Sequence, residues 1–179
     1  LISPYPDIQS FGLRTLSACL KKEGHYVKMI FLLSEFWQKY EEQALDEVVE
    51  QLKGYDLIGL SVMSNFWDNS VQITNRLKKD IDAPIIWGGT HPTIRPEECI
   101  ERGGADIVCI GEGEDTLVEL VKRMENGEDY HLLEGIGLRD NGKIVVNKPP
   151  PLIIDLDKLP FQDYDLENHY VLDGNTITN

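Results

Sequence analysis

Short apolar runs alternate with amphipathic segments over residues 1–127, and this alternation limits the fold more than any other feature. The run from Asp56 to Met63 is almost continuously apolar, which is typical of a strand covered on both faces. Before it, apolar residues recur at helical spacing from Leu45 to Leu52. Five such alternations predict a doubly wound, five-stranded parallel sheet in three α/β/α layers, which is a flavodoxin-like or Rossmann-like α/β fold.

The pattern changes after residue 130. Two short apolar stretches flank Asp140-Asn141-Gly142, which is a strong hairpin signal. Three prolines from Pro149 then begin an extended segment without a clear period. Because the sequence starts at Leu1, we expect it to be a fragment without its true amino terminus. The predicted units are a ligand-binding domain at 1–130, a β-hairpin appendage at 131–151 and a linker at 152–179 that lies over a surface.

Composition excludes several classes of function. The chain has a net charge of -14 and no cluster of lysine and arginine, so we expect no nucleic-acid partner. Its three cysteines are Cys19, Cys99 and Cys109, which are far apart and form no Cys-x-x-Cys pair. This usage fits a reducing compartment, with the cytoplasm as the default location, and predicts no metal cage. We find no apolar run long enough for a membrane span and no signal peptide.

The loop from Asp7 to Gly12 follows the first strand, where open α/β sheets bind ligands. It resembles the first loop of the cobalamin-binding domain found in methionine synthase, in the mutases and in cobalamin-dependent radical S-adenosylmethionine enzymes. In that family the loop reads Asp-x-His-x-x-Gly, and its histidine is the lower ligand to cobalt. Here Gln9 stands at the histidine position. The resemblance covers roughly residues 1–127.

Three further stretches follow the family pattern in the same order. Ser61-Val62-Met63 matches Ser-x-Leu after the third strand, Gly88-Gly89 follows the fourth, and a glycine-rich turn from Gly111 follows the fifth. Glycine at such positions lets the backbone approach a flat buried ring. The resemblance implies that the cobalamin contacts are Tyr5, Asp7, Gln9, Gly12, Ser61, Val62, Met63, Ser64, Gly88, Gly89, Thr90, His91, Gly111, Glu112 and Gly113.

The departure at Gln9 points to the radical enzymes, which commonly lack the histidine. A carboxamide is a poor cobalt ligand, so the resemblance implies cobalamin bound base-off, without a histidine from the protein below the metal. The segment from Leu159 to Asp165 resembles the linker to a radical S-adenosylmethionine domain. In the whole protein the family would add a [4Fe-4S] cluster, S-adenosylmethionine and a small-molecule substrate, for methyl transfer or a ring-forming reaction. We expect this chain alone to bind cobalamin without turnover.

Each motif also has a purely structural interpretation. Asp7 and Gln9 can hydrogen-bond the turn and cap the helix, Gly88-Gly89 can be a plain turn, and Glu112 can place charge at a helix amino terminus. We expect His91 to be a hydrogen-bonding partner and not a cobalt ligand. Phe66-Trp67 fits an aromatic wall over the corrin and core packing equally well.

Other classes of protein share the predicted fold. A signalling receiver domain needs an acidic phosphoacceptor after the third strand, where this chain has Ser61 to Ser64. A flavin-binding or nucleotide-binding module is compatible with the same glycine turns. An interaction domain that has lost its cofactor is the remaining alternative. The sequence leaves the substrate, the exact reaction and the oligomeric state open.

Overall fold

The structure, a computed structural model, describes residues 1–179 and contains one sheet of nine strands. The strands are β1 (Ile2–Ser3), β2 (Met29–Phe31), β3 (Ile58–Ser61), β4 (Ile85–Gly88), β5 (Ile107–Cys109), β6 (Ile136–Asp140), β7 (Lys143–Val146), β8 (His169–Asp173) and β9 (Thr176–Thr178). At the centre, β5, β4, β3, β1 and β2 lie side by side and parallel. This is the flavodoxin-like strand order, so the predicted doubly wound α/β class is confirmed.

Helices cover both faces of the sheet. They are α1 (Phe11–Lys22), α2 (Glu42–Leu52), α3 (Trp67–Leu77), α4 (Thr90–Ile94), α5 (Pro96–Glu101) and α6 (Glu114–Asn126). Buried residues of α2, α3 and α5 join a core of 22 residues on one face, whereas buried residues of α1 and α6 contribute to a core of nine on the other. The face covered by α1 and α6 therefore buries fewer hydrophobic residues, even with the separate cluster of Leu13, Met29 and Phe31. No helix combines the length and apolar character that a membrane crossing requires.

The sheet has nine strands and not the predicted five, because both chain segments after α6 extend it. The predicted hairpin forms as β6 and β7, and Asn141 and Gly142 both have positive φ, as a type I′ turn requires. It pairs antiparallel with β5 and thus continues the sheet. The predicted linker contains β8 and β9, with β8 parallel to β2 at the opposite edge. Leu172 buries its side chain in the larger core, so this segment also packs against the domain through its side chains. The division at residues 130 and 151 stays a prediction.

Asp163 anchors the segment before β8 against α1. It is 8% exposed and accepts hydrogen bonds from Ser17 Oγ at 2.6 Å and Lys21 Nζ at 2.8 Å. Burial alone would raise the pKa of Asp163, but the hydrogen bonds from Lys21 and Ser17 outweigh it and lower the pKa to about 2. The folded state therefore favours the carboxylate over the carboxylic acid.

Asp163→Asn is expected to lower the free energy of unfolding by roughly 1–2 kcal/mol near neutral pH, because the amide cannot replace the ion pair. The stability from a depressed pKa is present above the unfolded-state value of 3.8 and is lost as pH falls toward about 2. Urea unfolding of the unaltered and Asp163→Asn chains from pH 7 to pH 2 should show a difference in the free energy of unfolding that disappears below about pH 4. Asp157→Asn, at an exposed position, is the control and should leave stability unchanged.

Candidate functional site

Three neighbouring strands carry small residues on the face that meets α1 and α6. Successive side chains of a strand point to opposite faces, so the larger residues at the intervening positions belong to the other core. The small residues are Gly59 and Ser61 of β3, Gly88 of β4 and Cys109 of β5. The larger ones are Leu60, Trp87 and Val108. As a result, α1 and α6 do not close fully on the centre of the sheet.

The space that remains is a slot of about 540 Å³, within the range of small-molecule sites. It lies between the small-residue face of the sheet and the helices α1 and α6, and its entrance is at the carboxyl ends of the strands. The slot is lined by Leu1, Tyr5, Asp7, Ser10, Phe11, Gly12, Leu13, Leu16, Gly59, Leu60, Ser61, Ile86, Gly88, Gly89, Cys109, Gly111, Glu112, Gly113, Glu114 and Leu117.

The glycines of the slot serve two purposes. At Gly88 a Cβ atom would meet only Cys109 Cβ, at an ordinary 3.8 Å, so the absence of a side chain keeps space open. At Gly89 the φ of +100° requires glycine, and a Cβ atom would lie 3.1 Å from the carbonyl oxygen of Val62. Gly88 therefore creates volume, whereas Gly89 makes the turn into α4.

Two hydroxyl groups meet at the wall of the slot. Tyr5 Oη and Ser61 Oγ are hydrogen-bonded to each other across the ends of neighbouring strands. The Tyr5 ring packs at a tilt on Phe66, with 5.6 Å between ring centroids. The pair therefore presents polar atoms at a fixed place on an otherwise apolar wall.

The charged groups at the entrance are acidic. Asp7, Glu112 and Glu114 line the slot, and no lysine or arginine does. Glu112 Oε2 accepts a hydrogen bond from the backbone N–H of Ile153 at 2.5 Å, which ties the segment after β7 to this turn. Deeper in the slot, burial raises the pKa of the Cys109 thiol to about 12, so the thiol stays protonated.

The side chain of Asp7 stabilises the turn of the first loop through hydrogen bonds, as its structural interpretation predicts. Asp7 Oδ1 accepts from the backbone N–H of Gln9 at 2.8 Å, and Asp7 Oδ2 accepts from that of Ser10 at 3.3 Å. Gln9 is exposed, and its Oε1 lies 3.4 Å from Tyr164 Oη. No three His, Cys, Asp or Glu side chains come together as a metal site.

Most of the predicted contact residues line the slot: Tyr5, Asp7, Gly12, Ser61, Gly88, Gly89, Gly111, Glu112 and Gly113. The others lie outside its lining: Gln9, Val62, Met63, Ser64, Thr90 and His91. Val62 is fully buried, and its side chain joins the core on the opposite face of the sheet because of strand alternation. The part that each of these residues takes in binding stays a prediction.

His91 and its aromatic neighbours pack beside the slot. His91 Nδ1 lies 2.9 Å from Ser64 Oγ, and the ring centroid is 4.8 Å from that of Trp67. Burial lowers the pKa of His91, which favours the neutral ring. Phe66 is buried, and Trp67 packs edge-on against Trp87. Phe66 and Trp67 therefore pack against the core, and an additional contact with the corrin stays a prediction.

Sequence reasoning missed part of the lining, chiefly Gly59 and the helix residues that face it. Gly59 lies inside a strand, where glycine often marks a close approach of a ligand or backbone, and this signal was present in the sequence. The helix residues carry no such signal, because a large apolar residue on an amphipathic helix fits an ordinary hydrophobic core equally well. They are Phe11, Leu13 and Leu16 of α1 and Leu117 of α6.

Comparison with known families gives one match over most of the chain. The model of the B12 binding domain family matches residues 1–121. An uncharacterized methyltransferase of Pyrococcus horikoshii is 29% identical over 170 residues, which cover 91% of this chain and 35% of the relative. The anaerobic magnesium-protoporphyrin IX monomethyl ester cyclase of Synechocystis sp. is 27% identical over 156 residues, or 86% of this chain and 31% of the relative. The chain thus spans about a third of the length of these relatives.

A solved structure has the same fold. The cobalamin-dependent S-adenosylmethionine radical enzyme OxsB, with aqua-cobalamin bound, superimposes with a TM-score of 0.72 at 21% identity. The match covers 92% of this chain and 24% of that one.

Proposed function

This chain belongs to the B12-binding domain family, and from that premise we propose that the slot takes up the nucleotide tail of cobalamin, bound base-off. The observation that carries the proposal is the row of small residues on one face of β3, β4 and β5. Without these residues the space between the sheet and α1 and α6 would be filled by side chains, as the opposite face is. A flat, largely apolar benzimidazole fits the character of this space.

The residues around the slot suit this ligand chemically. Leu16, Ile86 and Leu117 offer apolar surface to a buried ring. The hydrogen-bonded hydroxyls of Tyr5 and Ser61 offer polar atoms to the ribose and phosphate part of the tail. The corrin would rest on the loops at the carboxyl edge, where its amide groups can donate to Glu112.

The lower face of the cobalt would receive no ligand from the protein. Gln9 stands where the family's histidine would be, and its exposed carboxamide is bonded within the protein to Tyr164. The carboxylate of Asp7 is engaged by the backbone N–H groups of Gln9 and Ser10. The loop therefore shapes the lower face without binding the metal.

We further propose that the whole protein is a radical S-adenosylmethionine enzyme that continues into a domain with a [4Fe-4S] cluster. The proposal is supported by the limited share of the relatives that this chain covers, by the methyltransferase and cyclase in their names, and by the likeness in fold to the S-adenosylmethionine radical enzyme OxsB. Cobalamin would supply a cobalt able to carry a methyl group. The residues described here would hold and orient that cofactor, and the small-molecule substrate would bind mainly outside this chain.

A flavin is the rival ligand, and the charges at the entrance disfavour it. Flavin mononucleotide carries a dianionic phosphate, for which proteins normally supply basic side chains or several free backbone donors. This slot instead has three acidic residues and no basic one. The cobalamin tail carries a single phosphodiester charge beside a cationic corrin, so repulsion at the entrance is weaker.

Gel filtration after incubation with a coloured ligand tests the proposal. The chain should retain hydroxocobalamin and not flavin mononucleotide. Cobinamide, which has the corrin without the nucleotide, should bind at least about tenfold more weakly, because the slot would stay empty. Equal binding of cobinamide would refute the role of the slot, and retention of the flavin alone would establish the rival function.

Electron paramagnetic resonance tests the lower face. The cobalt(II) form bound to the unaltered chain is expected to show no hyperfine splitting from an axial nitrogen. Gln9→His is the matched variant, because it restores the family's ligand at an exposed position where folding should not suffer. A nitrogen splitting in the variant alone would support the assignment of this loop, and a splitting in the unaltered chain would contradict it.

A further inference from the structure

Arg14 is a buried arginine of α1, with 6% of its surface exposed. Its guanidinium group reaches the first loop on one side. Nε donates to the carbonyl oxygens of Ile8 and Gln9 at 3.0 and 2.9 Å, and Nη2 donates to that of Ile8 at 2.6 Å. Hydrogen bonds from a charged donor are about twice as strong as neutral ones, so the loop backbone is firmly fixed here.

The same guanidinium group reaches the segment that leads into β8. Nη1 donates to the carbonyl oxygen of Asp163 at 2.7 Å and lies 3.1 Å from Nδ1 of His169. The ring of Tyr164 covers the guanidinium carbon, 4.5 Å from the ring centroid. The backbone N–H of Asp163 returns a hydrogen bond to the Arg14 carbonyl at 3.2 Å. We call this set of contacts, made by Ile8, Gln9, Arg14, Asp163, Tyr164 and His169, the Arg14 bridge.

The first loop needs such support because it contains a strained residue. Ser10 has φ of 30° and ψ of 59°, in the left-handed region that non-glycine residues rarely adopt. That conformation costs on the order of 1 kcal/mol and persists only where the surroundings hold it. Asp7 holds the backbone of Gln9 and Ser10 from one side, and Arg14 holds the carbonyls of Ile8 and Gln9 from the other. Asp7 and Ser10 both line the slot.

We propose that Arg14 is a positioning residue that couples the shape of the slot entrance to the docking of residues 163–169. The proposal rests on the proposed function, because cobalamin is the ligand that reports the coupling. If the docked segment favours the loop shape that cobalamin needs, then bound cobalamin must stabilise the docked segment to the same extent. Binding of cobalamin in the slot would thereby stabilise residues 163–169, which do not line the slot.

The shape of the arginine side chain is what allows Arg14 to contact the loop and the segment together. A guanidinium group has donors fixed in a planar fork, so it can serve the loop and the segment at the same time. A lysine ammonium is a single point and cannot reach both sides in the same way. Arg14→Lys therefore keeps the charge but breaks the Arg14 bridge, and this separates positioning from simple electrostatics.

Two measurements on the full chain test the coupling. Hydroxocobalamin is expected to slow amide hydrogen exchange at residues 165–173 of the unaltered chain by at least about threefold. Arg14→Lys should weaken hydroxocobalamin binding about tenfold and abolish this protection. Tyr164→Leu, at a half-exposed position where folding is not at risk, should weaken binding about threefold. Arg102→Lys, in an exposed ion pair with Glu98, is the control and should change neither quantity.

The outcomes separate this proposal from the proposed function. If the unaltered chain binds cobalamin but exchange at residues 165–173 does not change, the coupling is wrong and the function stands. If the unaltered chain binds no cobalamin, both the coupling and the proposed function are wrong. Should Arg14→Lys fail to fold by circular dichroism, Tyr164→Leu decides, and affinity and protection equal to those of the unaltered chain would overturn the proposal.

Discussion

A chain with Gly88→Val is expected to fold normally and to lose cobalamin affinity by about 100-fold. The valine Cβ would meet Cys109 Cβ at 3.8 Å, so the backbone has no reason to move. Glycine within a strand costs roughly 0.5–1 kcal/mol, and valine is a good strand former, so stability should rise slightly. The two methyl groups would occupy the slot itself, and forcing a ligand against them costs up to about 3 kcal/mol, or two orders of magnitude in affinity.

The measurement is a visible-absorbance titration with hydroxocobalamin beside urea unfolding of the same samples. Lys143→Val is the matched control, because it adds the same residue to a strand at the exposed edge of the sheet. It should bind cobalamin as the unaltered chain does. Tight binding by a folded Gly88→Val chain would mean that the nucleotide tail lies elsewhere, and the slot assignment would have to be abandoned.

The central sheet could be predicted from sequence because each of its strands is marked locally. The apolar run at Asp56–Met63 and the alternation with amphipathic helices leave few arrangements other than a doubly wound sheet. The hairpin at residues 136–146 was readable for the same reason, since Asn141-Gly142 supplies the positive φ angles of its turn. Where a local signal was complete, the prediction held.

The region of β8 and β9 was predicted as a linker because its strand signal is weak and its partner is distant. Gly174-Asn175 is a two-residue hairpin turn, and this is the one local signal in the region. However, the pairing of His169 with Met29 joins residues far apart in sequence, and no local pattern specifies it. The buried contacts of Arg14 with Asp163 belong to the same class. Such contacts depend on which edge of the sheet remains open once the core has formed.

The loops of the site could be predicted from sequence, but the depth of the slot could not, because only the loops carry a local signal. The loops at the carboxyl edge carry recognisable residues, such as Gly89 and Glu112, because turns constrain sequence strongly. The depth of the slot comes instead from the small residues Gly59, Ser61, Gly88 and Cys109, which lie on one face of β3, β4 and β5 beside the larger Ile86 and Ile107. That pattern becomes visible only when the register of the strands is known, since Ser61 pairs with Gly88. A single small residue in one strand carries no such information.

Substitution of Trp87, the neighbour of Gly88, should lower stability and leave cobalamin affinity unchanged, which is the reverse of the effect expected at Gly88. It is fully buried on the other face of the sheet, donates from Nε1 to Thr74 Oγ1 at 3.0 Å and packs on the backbone at Gly103. Trp87→Ala is expected to lower the free energy of unfolding by about 4 kcal/mol, because it leaves a cavity and an unpaired buried hydroxyl. Trp87→Phe should lose about 2 kcal/mol, since most of the volume stays filled.

The affinity of the folded Trp87 variants for hydroxocobalamin should nevertheless stay within about twofold of the unaltered chain, because the slot lies on the opposite face. Urea unfolding with and without ligand measures both quantities. Saturating ligand should raise the stability of each variant by the same increment as in the unaltered chain, because binding adds a term set only by ligand concentration and affinity. If Trp87→Phe lost affinity in step with stability, the two faces of the sheet would not be independent, and the separation of core from slot would fail.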